Sequence, residues 1–293
     1  MRALPVLTLV GLLTLMQGSG MAAEQRPARA EGGTTVRAAL DTIPPRPADA
    51  PGGSEFVLRI AELDRAGREA AILAEVLRGN IPDFLRSLKP ITLRGRVGGR
   101  AMTIVVWVMP DYLAVGSDDD FVRVPVDYYS ALRIARGFAM SLPTRKIVDA
   151  VYAQSEVHLT PQPMTPGPRM TSAQYFLAHN ERIERQWAEH TLGELVAGHK
   201  KDLVITNRLQ QQRTRRVAIY GWHRAPGDPI QPLSLVHGAT YADYSHGLRL
   251  VSDVLTVNGV ERPLLEVLQD ARLGPILTRE GTIQVPSGLL PAR

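Results

Sequence analysis

The sequence predicts an α+β fold, with an antiparallel sheet and hairpins packed against several helices in a single main domain over residues 55–293. Two observations carry this expectation. Segments with helical apolar spacing and segments with strand-like alternation are mixed along the chain, without the regular strand–helix–strand order that builds a parallel sheet. No internal repeat is present, and 293 residues can bury a large core in one domain or two smaller ones.

The N-terminal residues read as an export leader. Met1-Arg2 is a positive start, Ala3 to Met16 carries no charge, and small residues follow from Gly18 to Ala23. That order marks a signal peptide over residues 1–22. The apolar run is shorter than the roughly 20 residues that cross a bilayer, so no membrane span is expected in the mature chain. Residues 23–54 are rich in Pro, Gly, Ala and charge. Such a segment buries too little apolar surface to offset its ordering entropy and is expected to be a disordered linker.

Ile60 to Arg78 has apolar residues at Ile60, Leu63, Ala70, Leu73, Val76 and Leu77, which predicts one helix ended by Gly79-Asn80. Ile91–Val97 and Met102–Met109 read as strands joined by a tight Gly98-Gly99 turn. Short strands follow at Tyr112–Val115 and Phe121–Val124, joined by an acidic turn at Asp118-Asp119-Asp120 whose spacing is not that of a calcium loop. Asp127 caps a helix to Met140, and Thr144 caps another through Val151. After a break at Pro161–Pro168, Thr171 opens an amphipathic helix to about Glu189. Leu203–Leu209 and Arg216–Trp222 read as strands about a polar turn, and Leu248–Val257 as another before Asn258-Gly259. Pro263–Ala271 is a short helix, and Ile276–Val285 a closing hairpin about Glu280-Gly281.

The chain has no cysteine. Thiol nucleophiles, cysteine-ligated zinc, iron–sulfur clusters and disulfides are therefore excluded. The formal charge of +5 favours anionic partners such as envelope polymers. Nucleic acid is not expected, because the basic residues are scattered and aromatics make up 5% of the chain.

Reactive side chains are densest between Gly198 and Asp253, where four of the seven histidines fall. His237 and His246 are the candidate acid–base groups, with Asp243 to orient one of them. Arg249 is suited to an anion. Tyr241, Tyr244 and Trp222 offer flat surfaces for a sugar, and His199, Lys200 and His223 complete the expected binding set. Glycines after both histidines allow close backbone approach. Pro110-Asp111-Tyr112 reads as turn chemistry. His199, His223, His237, Asp243 and His246 are donors enough for zinc, but no pair has the His-x-x-x-His or His-Glu-x-x-His spacing of a helical site. The sequence thus favours a reaction without cofactor or metal.

His237-Gly238, then Ser245-His246-Gly247, then Leu248-Arg249-Leu250 and Asp253 resemble the L,D-transpeptidase (YkuD-type) signature. The resemblance covers under a tenth of the chain. It implies a β-rich domain acting on peptidoglycan stem peptides, with His246 matching the base and Arg249 the family's arginine. The spacer between the two parts is shorter than is usual in that family. Leu248 stands directly after Gly247 where the family has its nucleophilic cysteine, so transpeptidation by thiol chemistry is not available.

The functional expectation is a secreted or periplasmic hydrolase or transferase of a cell-envelope or extracellular polymer, peptidoglycan or polysaccharide. The alternative is a non-catalytic glycan- or peptide-binding protein of the periplasm or surface.

Overall fold

Four antiparallel hairpins and four side-chain-capped α-helices set the frame of the described residues. The computed structural model describes residues 42–284, all within one compact unit. The expected signal peptide and the first part of the linker lie outside the described residues.

Helices α1 (Gly53–Arg59) and α2 (Arg65–Leu77) come first. Strands β1 (Lys89–Val97) and β2 (Arg100–Val108) make a hairpin about Gly98-Gly99, and β3 (Ala114–Gly116) and β4 (Phe121–Arg123) make a second. Then come α3 (Tyr128–Gly137), β5 (Met140–Ser141), α4 (Arg145–Gln154), β6 (Val157–His158) and α5 (Ala173–Trp187). The last third holds β7 (Val196–Ala197), β8 (Lys201–Leu203), β9 (Ile219–Ala225), β10 (Asp228–Ser234) and β11 (His246–Gly247). It closes with β12 (Val251–Val257), β13 (Val260–Pro263), α6 (Leu264–Gln269) and α7 (Gly274–Leu277).

The larger sheet runs β1-β2-β12-β13, with β5 also on β12, and the smaller runs β10-β9-β8-β11. Neighbours are antiparallel except the short pairs β6/β7 and β8/β11, which are parallel. The fold class is α+β. Helix α4 packs against β1 of one sheet and β9 of the other. Ile91, Ile104, Val106 and Leu255 of the larger sheet, Ile147 and Val151 of α4, and Leu203 and Ile219 of the smaller sheet therefore share one core. Each such side chain adds about 1.5–3 kcal/mol when fully buried. Among the described residues, no helix is long and apolar enough to cross a membrane.

The caps explain the helix starts. Asp127 accepts from the Ser130 amide at 2.9 Å, and Thr144 accepts from the Ile147 amide at 3.3 Å, as the sequence predicts. The next helix starts one residue later than expected, with Ser172 as its cap. The helix expected over Ile60–Arg78 starts only at Arg65, and α1, which the sequence did not signal, precedes it as a separate helix. Asp64 accepts from the Gly67 amide at 2.7 Å and opens α2, while α1 ends at Arg59. A local cap interrupts an apolar period that would otherwise run on.

Three further expectations are corrected. Ordered structure begins before residue 55: Ile43 is 4% exposed, and the Arg46 guanidinium donates to Asn80 Oδ1 and to the carbonyls of Gly116, Ala50 and Pro51. One arginine with several acceptors holds a segment poor in apolar residues. The strand expected over Leu203–Leu209 stops at Leu203, because Thr206 caps a short 3₁₀ turn over Asn207–Leu209. The closing hairpin is replaced through residue 284 by α7 and an irregular segment. There the Glu280 carboxylate accepts from the Thr206 hydroxyl and the Asn207 amide, while the Gln284 amide donates to Asn207 Oδ1. Strand β10, which the sequence did not signal, carries Pro229 and Pro232 and lies on a sheet edge, where missing amide donors are tolerated.

The acidic turn does structural work. Asp120 accepts from the amide and hydroxyl of Ser54, and its carbonyl accepts from the Gly53 amide. A Cβ on Gly53 would lie 2.5 Å from Val115 O and Val122 N, both backbone atoms. Gly53→Ala should therefore destabilise the protein by about 2–3 kcal/mol through overpacking, measured as a lowered denaturant midpoint with unchanged m-value.

Candidate functional site

Strand β8 is where the two polar stretches meet. It pairs with β9 on one side and in parallel with β11 on the other, matching His246 to Lys201 and Gly247 to Asp202. The Lys201 amide donates to Ser245 O at 2.8 Å. Residues 198–202 and 237–249, far apart in sequence, thus form one site. Gly247 is required there, because a Cβ would lie 2.5 Å from Tyr112 Cδ1 and 2.8 Å from Lys200 Cβ. Gly238 has no such neighbour.

The loop before β11 is fixed by its own polar groups. Asp243 Oδ1 accepts from the Ser245 amide at 2.8 Å and from the Ser245 hydroxyl at 2.6 Å, an Asx-turn arrangement. Asp243 Oδ2 accepts from the Tyr241 hydroxyl at 3.0 Å and faces His246 Nε2 at 3.9 Å. His237 stacks on Tyr241, with ring centroids 4.1 Å apart and planes 13° apart, and its ring centroid is 5.8 Å from that of His246. One donor atom each from His237, Asp243 and His246 lies within 4.8 Å of the others. These three are the candidate centre and the residues able to hold a metal. Serine 245 bonds to Asp243 and not to the neighbouring histidine.

Burial divides the centre. His246 is wholly buried, and neither ring nitrogen has a protein hydrogen-bond partner. Burial lowers its pKa to about 4 against the pull of Asp243, so the ring is neutral at pH 7. Burial opposes the Asp243 charge, but the His246 field and the Ser245 donors overcome it and hold the carboxyl below its usual value. His237 and Tyr241 are half-buried and reach the surface. Burial also lowers the His237 pKa. Thr240, next to Tyr241, lines a cleft of about 350 Å³ with Arg65, Glu69 and Asp127.

Behind the centre lies a buried polar network. Arg123 of β4 donates twice to Asp111 Oδ2, at 2.6 and 2.8 Å, and also to Asn180 and Glu184 of α5. His199 Nε2 bonds to Asp111 Oδ1 at 3.0 Å. Burial penalises the Asp111 charge, yet Arg123 and His199 outweigh it and hold this carboxyl well below the carboxylate range. Burial lowers His199 to about 4. Tyr112 donates to Asp202 Oδ2 at 2.7 Å, and burial raises Asp202 to about 6.

The residues expected to bind substrate fall mostly in this interior. Arg249 is 1% exposed and donates to the carbonyls of Met109 and Val196, with Tyr112 under its guanidinium at 4.4 Å. It ties strands together and has no surface for a substrate anion. Lys200 is equally buried and donates to Tyr244 O at 2.6 Å; burial lowers its pKa to about 7. Tyr244 and Trp222 are buried, and Trp222 adopts a left-handed φ of 57°, a strained conformation for a bulky residue. Neither offers a free face to a sugar. His223 is buried against Asp149 and Tyr152. Of the aromatic residues expected at the site, Tyr241 alone keeps exposed area. Lys201, next to Lys200, stands 4.8 Å over the Trp222 ring.

Asp111, Arg123 and His179 were not expected in a buried network. Asp111 read as turn chemistry. The available signals were an arginine inside the apolar run Phe121–Val126, and a histidine three residues after Phe176 on the core face of α5. His179 is buried against Tyr244, and neither of its ring nitrogens has a partner. Comparison with protein-family models, curated proteins and solved structures finds no match to this chain.

Arg123→Met should destabilise the protein by about 3–5 kcal/mol, since it strands Asp111 as a buried charge; chemical denaturation measures this. Asp202 has a folded pKa near 6 against 3.8 for the free carboxyl, so the fold favours its protonated form. That contribution is complete below pH 4 and is lost as pH rises to about 6. The stability of Asp202→Asn minus that of wild type should therefore rise over this window by on the order of 3 kcal/mol, read from denaturation midpoints at each pH.

Proposed function

We propose that this chain is a hydrolase of an exported compartment, acting on a cell-envelope or extracellular polymer by activating water at His237, Asp243 and His246. One observation carries the reading: two imidazoles and a carboxylate converge within 4.8 Å. His246, moreover, is sealed from solvent without a protein partner. An unpaired buried polar group costs about 1–3 kcal/mol, and such a cost is understandable where the group has chemistry to perform.

Hydrolysis requires water to give its oxygen to the electrophilic carbon and one proton, in the end, to the leaving group. Neutral imidazoles beside an ionised carboxylate suit that proton transfer. His237 and Tyr241 supply the exposed side at which a polymer is met. The neighbouring cleft, lined by Arg65, Glu69, Asp127 and Thr240, offers polar groups of both signs to such a chain. Peptidoglycan fits these features, and the likeness of residues 237–249 to the L,D-transpeptidase signature supports it. The leader-like N-terminus supports export.

Purified protein should release soluble fragments from sacculi or from a polysaccharide panel. His237→Ala and Asp243→Asn should each lower kcat by about 10²–10⁴, the usual worth of acid–base chemistry, with unchanged circular dichroism. No turnover on any polymer, with binding retained, would replace the hydrolase by a glycan- or peptide-binding protein.

A further inference from the structure

We infer that His237, Asp243 and His246 form a binding site for one divalent transition-metal cation of the zinc type, with two imidazoles and one carboxylate as ligands and a remaining position open to water. This inference rests on the same centre as the proposed hydrolase and names the group that would hold the water.

The donor set is that of a catalytic cation site, where three protein ligands leave one position free. Imidazole and carboxylate together suit zinc or ferrous iron over magnesium or calcium. The ligands come from one short loop whose shape is already set by the Asp243–Ser245 bonds and by docking to Val217, whose amide donates to His237 O at 3.2 Å. His246 is 0% exposed, has both ring nitrogens unpartnered, and points Nε2 toward Asp243 Oδ2 at 3.9 Å. A cation between them gives that nitrogen the partner the protein does not. Tetrahedral zinc, with bonds of about 2.0–2.1 Å, places its ligands about 3.3 Å apart. The present spread of 4.8 Å has to contract to that on binding, at the half-exposed His237 and also between Asp243 and His246, now 3.9 Å apart.

Two contacts fit the roles of supporting groups. The Tyr241 hydroxyl on Asp243 Oδ2 and the Ser245 donors on Oδ1 orient the carboxylate, as partners of metal ligands do. Lys201, matched to His246 across the β8/β11 pairing, brings a positive charge to the neighbouring strand position and opposes the cation. Its ammonium stands 4.8 Å over the Trp222 ring.

The test is calorimetric titration of chelator-stripped full-length protein with Zn²⁺, with Mg²⁺ as contrast. One Zn²⁺ per chain should bind, and Mg²⁺ should not compete. His246→Ala and Asp243→Asn should each weaken zinc by roughly 100-fold or more, and Tyr241→Phe by about 10-fold, within the range for outer-shell partners. Lys201→Met should tighten it. Because His246→Ala can fail to fold, Co²⁺ absorption of the near-isosteric Asp243→Asn variant provides a second readout, and it should lose the tetrahedral spectrum of wild type. Absence of stoichiometric zinc binding, or unchanged affinity in Asp243→Asn, overturns the site. Full hydrolytic activity in metal-free protein overturns it while leaving the hydrolase intact. Zinc binding without turnover on any polymer keeps the site and removes the hydrolase.

Discussion

The buried Asp111–Arg123 ion pair is the constraint on which the rest of the polar interior depends. Arg123 comes from β4, its other partners Asn180 and Glu184 from α5, and Asp111 from the loop after β2. Asp111 also takes His199, which leads into β8. One pair thus fixes a sheet, a helix and the strand on which the candidate site is assembled. Two charges out of water are tolerable only because their hydrogen bonds are made several times over. Arg249 extends the same scheme, closing the carbonyls of Met109 and Val196.

From that interior the chain reaches the surface through two-residue pairings. Strands β8 and β11 share only two matched positions, yet these place His246 beside Lys201 and Gly247 beside Asp202. Gly247 allows the approach, since any side chain there meets Tyr112 and Lys200. The strained Trp222 stands on the neighbouring strand, with its amide on Lys200 O at 3.0 Å and Lys201 over its ring. Close packing and strain therefore concentrate on one side of the His237–Asp243–His246 centre, and the other side is open through His237 and Tyr241. That asymmetry is what a site needs, with a rigid back to hold reacting groups and an accessible front to admit a ligand.

Much of this was readable from residues alone where the interaction is local. The hairpin about Gly98-Gly99, the turn at Asn258-Gly259 and the caps at Asp127 and Thr144 depend on neighbours within a few positions, and they stand where the pattern places them. The start of α2 at Arg65, the 3₁₀ turn after Thr206 and the segment after α7 were not readable. There Asp64, Thr206 and Glu280 compete with the apolar period for backbone donors, and Thr206 and Glu280 meet across 74 positions.

By itself the sequence determined the class of fold, the absence of thiol chemistry, and the loop in which titratable groups crowd. Composition and short-range periodicity decide those properties. Tertiary structure alone decided which of the crowded residues face one another. It turned Arg249, Lys200, His199, Tyr244 and Trp222 inward, and it left His237, Asp243 and His246 around one point. Burial and pairing of charge are set by which distant strands come into register, and no local pattern encodes that register when the decisive pairing is two residues long.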